Sequence, residues 1–158
     1  MTPALASEQA PALPRGAGAV FWILVVGFSA TAAYWVVWFF IDRDILASAH
    51  TASYYAFENA FPIADGWMAA CALLGAIALK RRRASALFFC LSAGSASLYL
   101  AGMDVLFDLE NGIYRAPTGD WGAVVVEVVI NVATLFIGAY VLVWAWRNRR
   151  GLAALAGW

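Results

Sequence analysis

Twenty-five consecutive residues, Ala17 to Ile41, contain no charged side chain. A bilayer core about 30 Å thick is crossed by ~20 residues of helix, so this run is long enough to span it with some tilt. Three further apolar runs follow. One extends from Ile63 to Leu79 behind Pro62, a preferred first-turn helix residue; the others run from Ala84 to Phe107 and from Ala123 to Trp146. The rest of the composition agrees, since 64% of the chain is hydrophobic and only 13% is charged, unlike a water-soluble domain. A secretory leader competes for the first run, with Arg15 as its basic start and Ala30-Thr31-Ala32 as a small-residue cleavage site. The apolar continuation from Tyr34 to Ile41 favours a span.

The connections define the architecture. Lys80-Arg81-Arg82-Arg83 separates the second and third runs so briefly that they must form an antiparallel hairpin. Residues 42–61, DRDILASAHTASYYAFENAF, are polar but place Ile45, Leu46, Tyr54, Tyr55, Phe57 and Phe61 at roughly helical intervals, as a helix lying on the membrane surface does. Glu58 and Asn59 stand where the second span could extend upward. The stretch from Asp108 to Gly122 contains Asn111-Gly112, Pro117 and Thr118-Gly119 and reads as a loop. The expected fold is therefore all-α: a polytopic membrane protein forming an antiparallel four-transmembrane-helix bundle with a short outer interfacial helix. Its membrane domain covers residues 17–146, between a flexible cytoplasmic tail at 1–16 and a second cytoplasmic tail at 147–158.

Charge placement orients this bundle. Eight of the ten basic residues, Arg15, Lys80 to Arg83, Arg147, Arg149 and Arg150, fall at one end, which the positive-inside rule makes cytoplasmic along with both termini. Nine of the ten carboxylates fall at the other end, so a chain of zero net charge is a dipole across the membrane. Acidic residues contribute little to topology, and this excess needs a separate cause.

Counting ~1.5 Å of rise per residue from the basic anchors places Asp65 roughly 22 Å along its helix, and Asp104 and Glu127 roughly 30 Å along theirs. Three helices thus bring a carboxylate to a similar outer level. Each also offers a second polar group at helical spacing: Glu58 with Asp65, Asp104 with Asp108, and Glu127 with Asn131. Ionisable groups at membrane depth cost at least ~2.5–3.5 kcal/mol on insertion scales, which turns them toward the bundle interior or a water-filled cavity. Converging carboxylates cannot all carry charge in a dry site, so the pattern implies a proton, a metal or an amine among them. The competing reading has the same six side chains, Glu58, Asp65, Asp104, Asp108, Glu127 and Asn131, hydrogen-bonded to interfacial tyrosines, tryptophans and helix ends.

Other residues give weaker signals. His50, the only histidine, is expected to be solvated or hydrogen-bonded and would be the single nitrogen ligand for a metal. Cys71 and Cys90 stand alone in apolar runs and read as small buried side chains, with a helix-to-helix disulfide as the alternative. Trp67 and Trp121 fit an aromatic belt at the outer face, and Trp144, Trp146 and Trp158 one at the inner face. Trp22, Trp35 and Trp38 either pack the first helix or line a pocket. Gly75, Ala76, Ser92, Gly94, Ser95 and Ser97 predict close packing of the second and third spans.

The segment from Met103 to Tyr114, MDVLFDLENGIY, resembles a D-x-x-F-[DN]-L-x-N-G-x-Y signature of small bacterial four-helix membrane proteins without an assigned activity. Glu58 to Asp65 with Trp67 resembles their second-helix entry, and Glu127 with Asn131 their fourth-helix polar pair, so the resemblance covers roughly residues 55–145. It implies a bacterial cytoplasmic (inner) membrane protein in which Asp104, Asn111, Gly112 and Tyr114 form one structural unit. It implies no activity. Sterol-isomerase-like membrane proteins offer an architectural analogy, acidic residues inside a small bundle, without a shared motif.

Three function classes remain. The first is a binding module whose outer acidic pocket takes a cation or a cationic amphiphile. The second is an accessory subunit packed against a larger membrane complex. The third is a lipid- or isoprenoid-modifying membrane enzyme using one carboxyl as acid and another as base. No nucleophile motif, zinc-protease motif, phosphate loop or haem ligand pair is present, no basic aromatic patch invites nucleic acid, and no cofactor is indicated. Membrane lipids are the one partner common to all three.

Overall fold

A computed structural model describes residues 12–116 and 119–155. Residues 1–11 of the expected tail, Pro117 and Thr118 of the expected turn, and residues 156–158 with Trp158 lie outside them. The described chain is helical, without strands. Helix α1 spans Ala17–Phe40, a 3-10 turn Arg43–Ile45, α2 Ala52–Glu58, α3 Pro62–Lys80, α4 Ser85–Asn111, a second 3-10 turn Ile113–Arg115, α5 Trp121–Arg147 and α6 Arg149–Ala153. Helices α1, α3, α4 and α5 are long and apolar enough to cross a membrane, which makes this a multi-pass membrane protein built as an antiparallel four-helix bundle.

Local chemistry sets the helix ends. Pro62 occupies the first turn of α3, where its missing N–H costs nothing. Thr51 caps α2 by accepting the Tyr54 N–H at 3.2 Å, and Asp120 caps α5 by accepting the Ala123 N–H at 3.1 Å. The tight α3–α4 turn is closed with Arg82 at φ 52° and the Arg83 N–H donating to the Ala78 carbonyl at 2.9 Å.

Helix α4 corrects the sequence reading. It does not stop at Phe107 but continues to Asn111, so Asp108 to Asn111 belong to a helix rather than a loop. Asn111-Gly112 marks where α4 ends, because Gly112 takes the left-handed φ of 69° that suits a helix C-terminus. The other spans differ from expectation by at most two residues at either end. The segment after α1 is a 3-10 turn followed by the short α2, with Asn59 to Phe61 separating α2 from α3, so Glu58 and Asp65 lie on different elements.

The four long helices pack in the order α1, α3, α4, α5, with α4 held between α3 and α5, and α1 on α3; α1 and α5 are not packed along their lengths. The α4–α5 crossing is the closest. A Cβ added to Gly94 would stand 2.8 Å from the Leu142 nitrogen and 2.9 Å from the Gly138 oxygen, and one on Gly138 would stand 2.9 Å from the Ser97 Cβ. The small residues of α4 thus serve two neighbours. Gly94 faces α5 rather than α3 as expected, while Ser97 also donates to the Met68 sulfur on α3 at 3.1 Å.

The end of the bundle carrying the basic residues is closed. Leu152 and Leu155 are buried with Val20, Leu79, Ala86 and Ala145, and Leu13 packs against the same core. Trp144 is 7% exposed and donates its indole N–H to the Arg15 carbonyl at 2.9 Å, so it locks the chain ends together rather than belonging to an aromatic belt. Trp67, Trp121 and Trp146 do face outward. Cys71 and Cys90 are both free and buried.

Candidate functional site

At the opposite end, α1, α2, α3, α4 and α5 direct polar and aromatic side chains into one region. Helix α1 is apolar apart from its last turns, where Tyr34 and Trp38 share a face and Trp35 lies beside them. These three carry hydrogen-bond donors at the tips of apolar rings. The Tyr34 hydroxyl donates to Glu58 Oε2 at 2.9 Å, the Trp35 indole N–H to Asp65 Oδ2 at 3.0 Å, and the Trp38 indole N–H to Asn59 Oδ1 at 3.0 Å. One helix end therefore anchors three polar groups on α2, α3 and the turn between them. Each of these bonds offsets the cost of placing a polar group away from water.

A second network joins α4 to α5. Asp108 and Asn131 are each 2% exposed, the only buried polar side chains among the described residues. Asn131 Nδ2 donates to Asp108 Oδ2 at 2.9 Å and to the Tyr114 hydroxyl at 3.0 Å; Glu127 Oε1 lies at 3.5 Å. An amide nitrogen has two hydrogens, so the first two contacts are its bonds and the third is the weaker competitor. Tyr114 also hydrogen-bonds Asp108, closing a triangle. Burial pushes the Tyr114 phenol up to about 12, which keeps it a proton donor. Glu127 accepts a hydrogen bond from the Ser48 hydroxyl, tying the segment between α1 and α2 to α5.

Asp104 stands between these networks and differs from its neighbours. It is half-buried on α4, and no described side chain donates a hydrogen bond to it. Its oxygens retain an opening, because no sealed side-chain oxygen or nitrogen lacks a partner among the described residues. Glu58, Glu127, Asp65 and Asp108 all act on it as like charges. No Lys or Arg among the described residues pairs with any of these five carboxylates.

Aromatic rings cover this region. Phe57 on α2 stacks on Phe107 on α4 with centroids 3.8 Å apart, Tyr54 packs on Phe107 from the side, and Tyr34 stacks on Trp38 at 5.9 Å. Trp38, Ala49, Tyr54 and Ile113 form a buried cluster of their own, separate from the core at the basic end. Toward the surface, Tyr55 donates to Asp44 at 2.5 Å, lies 2.9 Å from His50 Nδ1, and has the Arg43 guanidinium 4.3 Å above its ring. His50 is thus a hydrogen-bonded surface residue.

All six polar residues expected from the sequence, Glu58, Asp65, Asp104, Asp108, Glu127 and Asn131, meet at this end of the bundle. Their partners Tyr34, Trp38, Ser48, Tyr54 and Asn59 escaped the sequence reading, and Trp35 was left open between packing and pocket. A usable signal existed in Tyr34, Trp35 and Trp38, three donor-bearing rings grouped within two turns of an uncharged helix. Among the described residues no group of three or more His, Cys, Asp or Glu side chains is placed to hold a metal ion. The arrangement instead offers diffuse negative charge walled by aromatic faces, which suits a cation too large or too weakly hydrated to need close ligands. No protein-family model, curated protein or solved structure matches the chain.

Proposed function

We propose that this protein is a binding module of the bacterial cytoplasmic membrane, with both termini in the cytoplasm and an acidic, aromatic chamber on the outer side that takes a cationic ligand of the organic ammonium class. The observation that carries this reading is Asp104, an opening-facing carboxylate without a hydrogen-bond donor, surrounded by four further carboxylates and no basic side chain. Such a group needs a proton or a cation, and the rings around it favour a cation of low hydration. The eight basic residues at the closed end support the orientation through the positive-inside rule.

The test is calorimetric titration of the purified protein in nanodiscs with tetramethylammonium. Binding that weakens at least tenfold in Asp104→Asn, with sodium a poor competitor, supports the reading. Equal affinity in wild type and Asp104→Asn overturns it. A second reading, an accessory subunit, is favoured by the outward apolar surface of α1, where Trp22 and Phe40 are 64% and 82% exposed. Copurification of a stoichiometric membrane partner from native membranes would move that reading first. The enzymatic reading would need turnover of a lipid or isoprenoid that disappears in Asp104→Asn.

A further inference from the structure

A crevice runs below the chamber along the unpacked flank between α1 and α5. Gly27 and Thr31 on α1 form one wall and Ile137 and Gly138 on α5 the other, while Met68 on α3 and Ser97 on α4 lie on its floor. Its volume is about 50 Å³, and it opens sideways. This is too little space for a fused-ring body but suits one hydrocarbon strand lying along the bundle.

Helical spacing makes the crevice continuous with the chamber. Thr31 lies one turn below Trp35, Met68 three residues below Asp65, and Ser97 seven residues below Asp104, distances of roughly 5–10 Å along the helix axes. The lining changes over that distance from carboxylates and rings to aliphatic and small side chains. Polarity and charge thus follow the plan of an amphiphile, with a positive head among the carboxylates and an apolar tail beneath. A zwitterionic lipid fits less well, because its phosphate would face the same carboxylates.

We infer that the ligand is a single-chain cationic amphiphile that enters sideways from the outer leaflet between α1 and α5 and lays its tail in this crevice. This rests on the reading of the chamber as an ammonium site and adds the tail site and the route. Inside a bilayer the tail gains nothing merely by leaving water, so selectivity for it comes from the fit of the crevice and from the tethered head.

The experiment uses the full-length protein in phosphatidylcholine nanodiscs and compares tetramethylammonium with dodecyltrimethylammonium, the latter also made with a terminal photoreactive diazirine. Gly27→Leu is the diagnostic variant, because a Cβ there meets nothing within 4 Å and the added side chain fills the crevice without disturbing packing. Photolabel is expected on α1 and α5 residues lining the crevice, competed by unlabelled dodecyltrimethylammonium but not by dodecyl sulfate. Gly27→Leu should weaken dodecyltrimethylammonium binding at least tenfold while leaving tetramethylammonium within twofold. If tetramethylammonium binds but Gly27→Leu leaves both affinities alike, or the label falls outside the crevice or resists competition, the tail site is overturned and the chamber stands. If neither ammonium binds, both fail.

Discussion

The two ends of this bundle are built by different means. At the basic end, helices approach until backbones touch at Gly94 and Gly138, small buried residues such as Ala72, Ala76, Ala86 and Cys90 fill the interior, and Leu152, Leu155 and Trp144 close it. At the acidic end, the helices are linked through long side chains, with rings stacked on rings and carboxylates held by indoles, hydroxyls and an amide. The first kind of packing leaves no space for a ligand; the second leaves Asp104 without a partner. In lipid, where burial of apolar surface does not drive helices together, close packing must hold the bundle. The polar end is then free to serve another purpose.

The comparison breaks most readily at Gly94. In Gly94→Ala the new Cβ meets backbone atoms of α5 at 2.8–2.9 Å, which cannot rotate away, so α4 and α5 must separate. A loss of about 1–3 kcal/mol is expected, read as a lower thermal unfolding midpoint in detergent. Asn131→Ala should cost a similar or slightly smaller amount, about 1–3 kcal/mol, because it leaves the buried Asp108 short of a donor and frees Tyr114 from the α4–α5 network. Asp104→Asn should act in the opposite direction. With no donor to lose and four like charges around it, removing its charge should raise the midpoint, by less than Asn131→Ala lowers it. The smallest effect belongs to Gly102→Ala on the outward side of α4, where a Cβ meets nothing within 4 Å. Helix propensity alone then predicts a gain of roughly 0.5–1 kcal/mol, so the same substitution at Gly94 and Gly102 should differ in sign.

How much of this was legible in the sequence follows the same division. The four spans could be read directly, because membrane thickness demands uncharged runs that basic blocks terminate. The end of α4 could not, since Asn111-Gly112 is equally a turn dipeptide and a helix C-terminus, and only the left-handed Gly112 settles which. The six polar residues of the acidic end were legible from their distance to the basic anchors. Their partners were not: α1 is apolar on nearly every side, so nothing in its period fixes which face turns inward. Ser48 and Asn59 lie outside the long helices, and their positions depend on how the chain crosses the end of the bundle.

The central claim is that Asp104 holds a place for a cation, and it is tested most directly by the unfolding midpoint of wild type and Asp104→Asn in nanodiscs as tetramethylammonium is raised. A ligand that binds the folded state alone lifts the midpoint in proportion to the logarithm of its excess over Kd. The account predicts that the wild-type midpoint climbs with tetramethylammonium, while the Asp104→Asn midpoint starts higher and stays flat. An Asp104→Asn protein that starts lower than wild type, or that climbs in parallel with it, would contradict the claim and make Asp104 an ordinary member of the hydrogen-bonded interface.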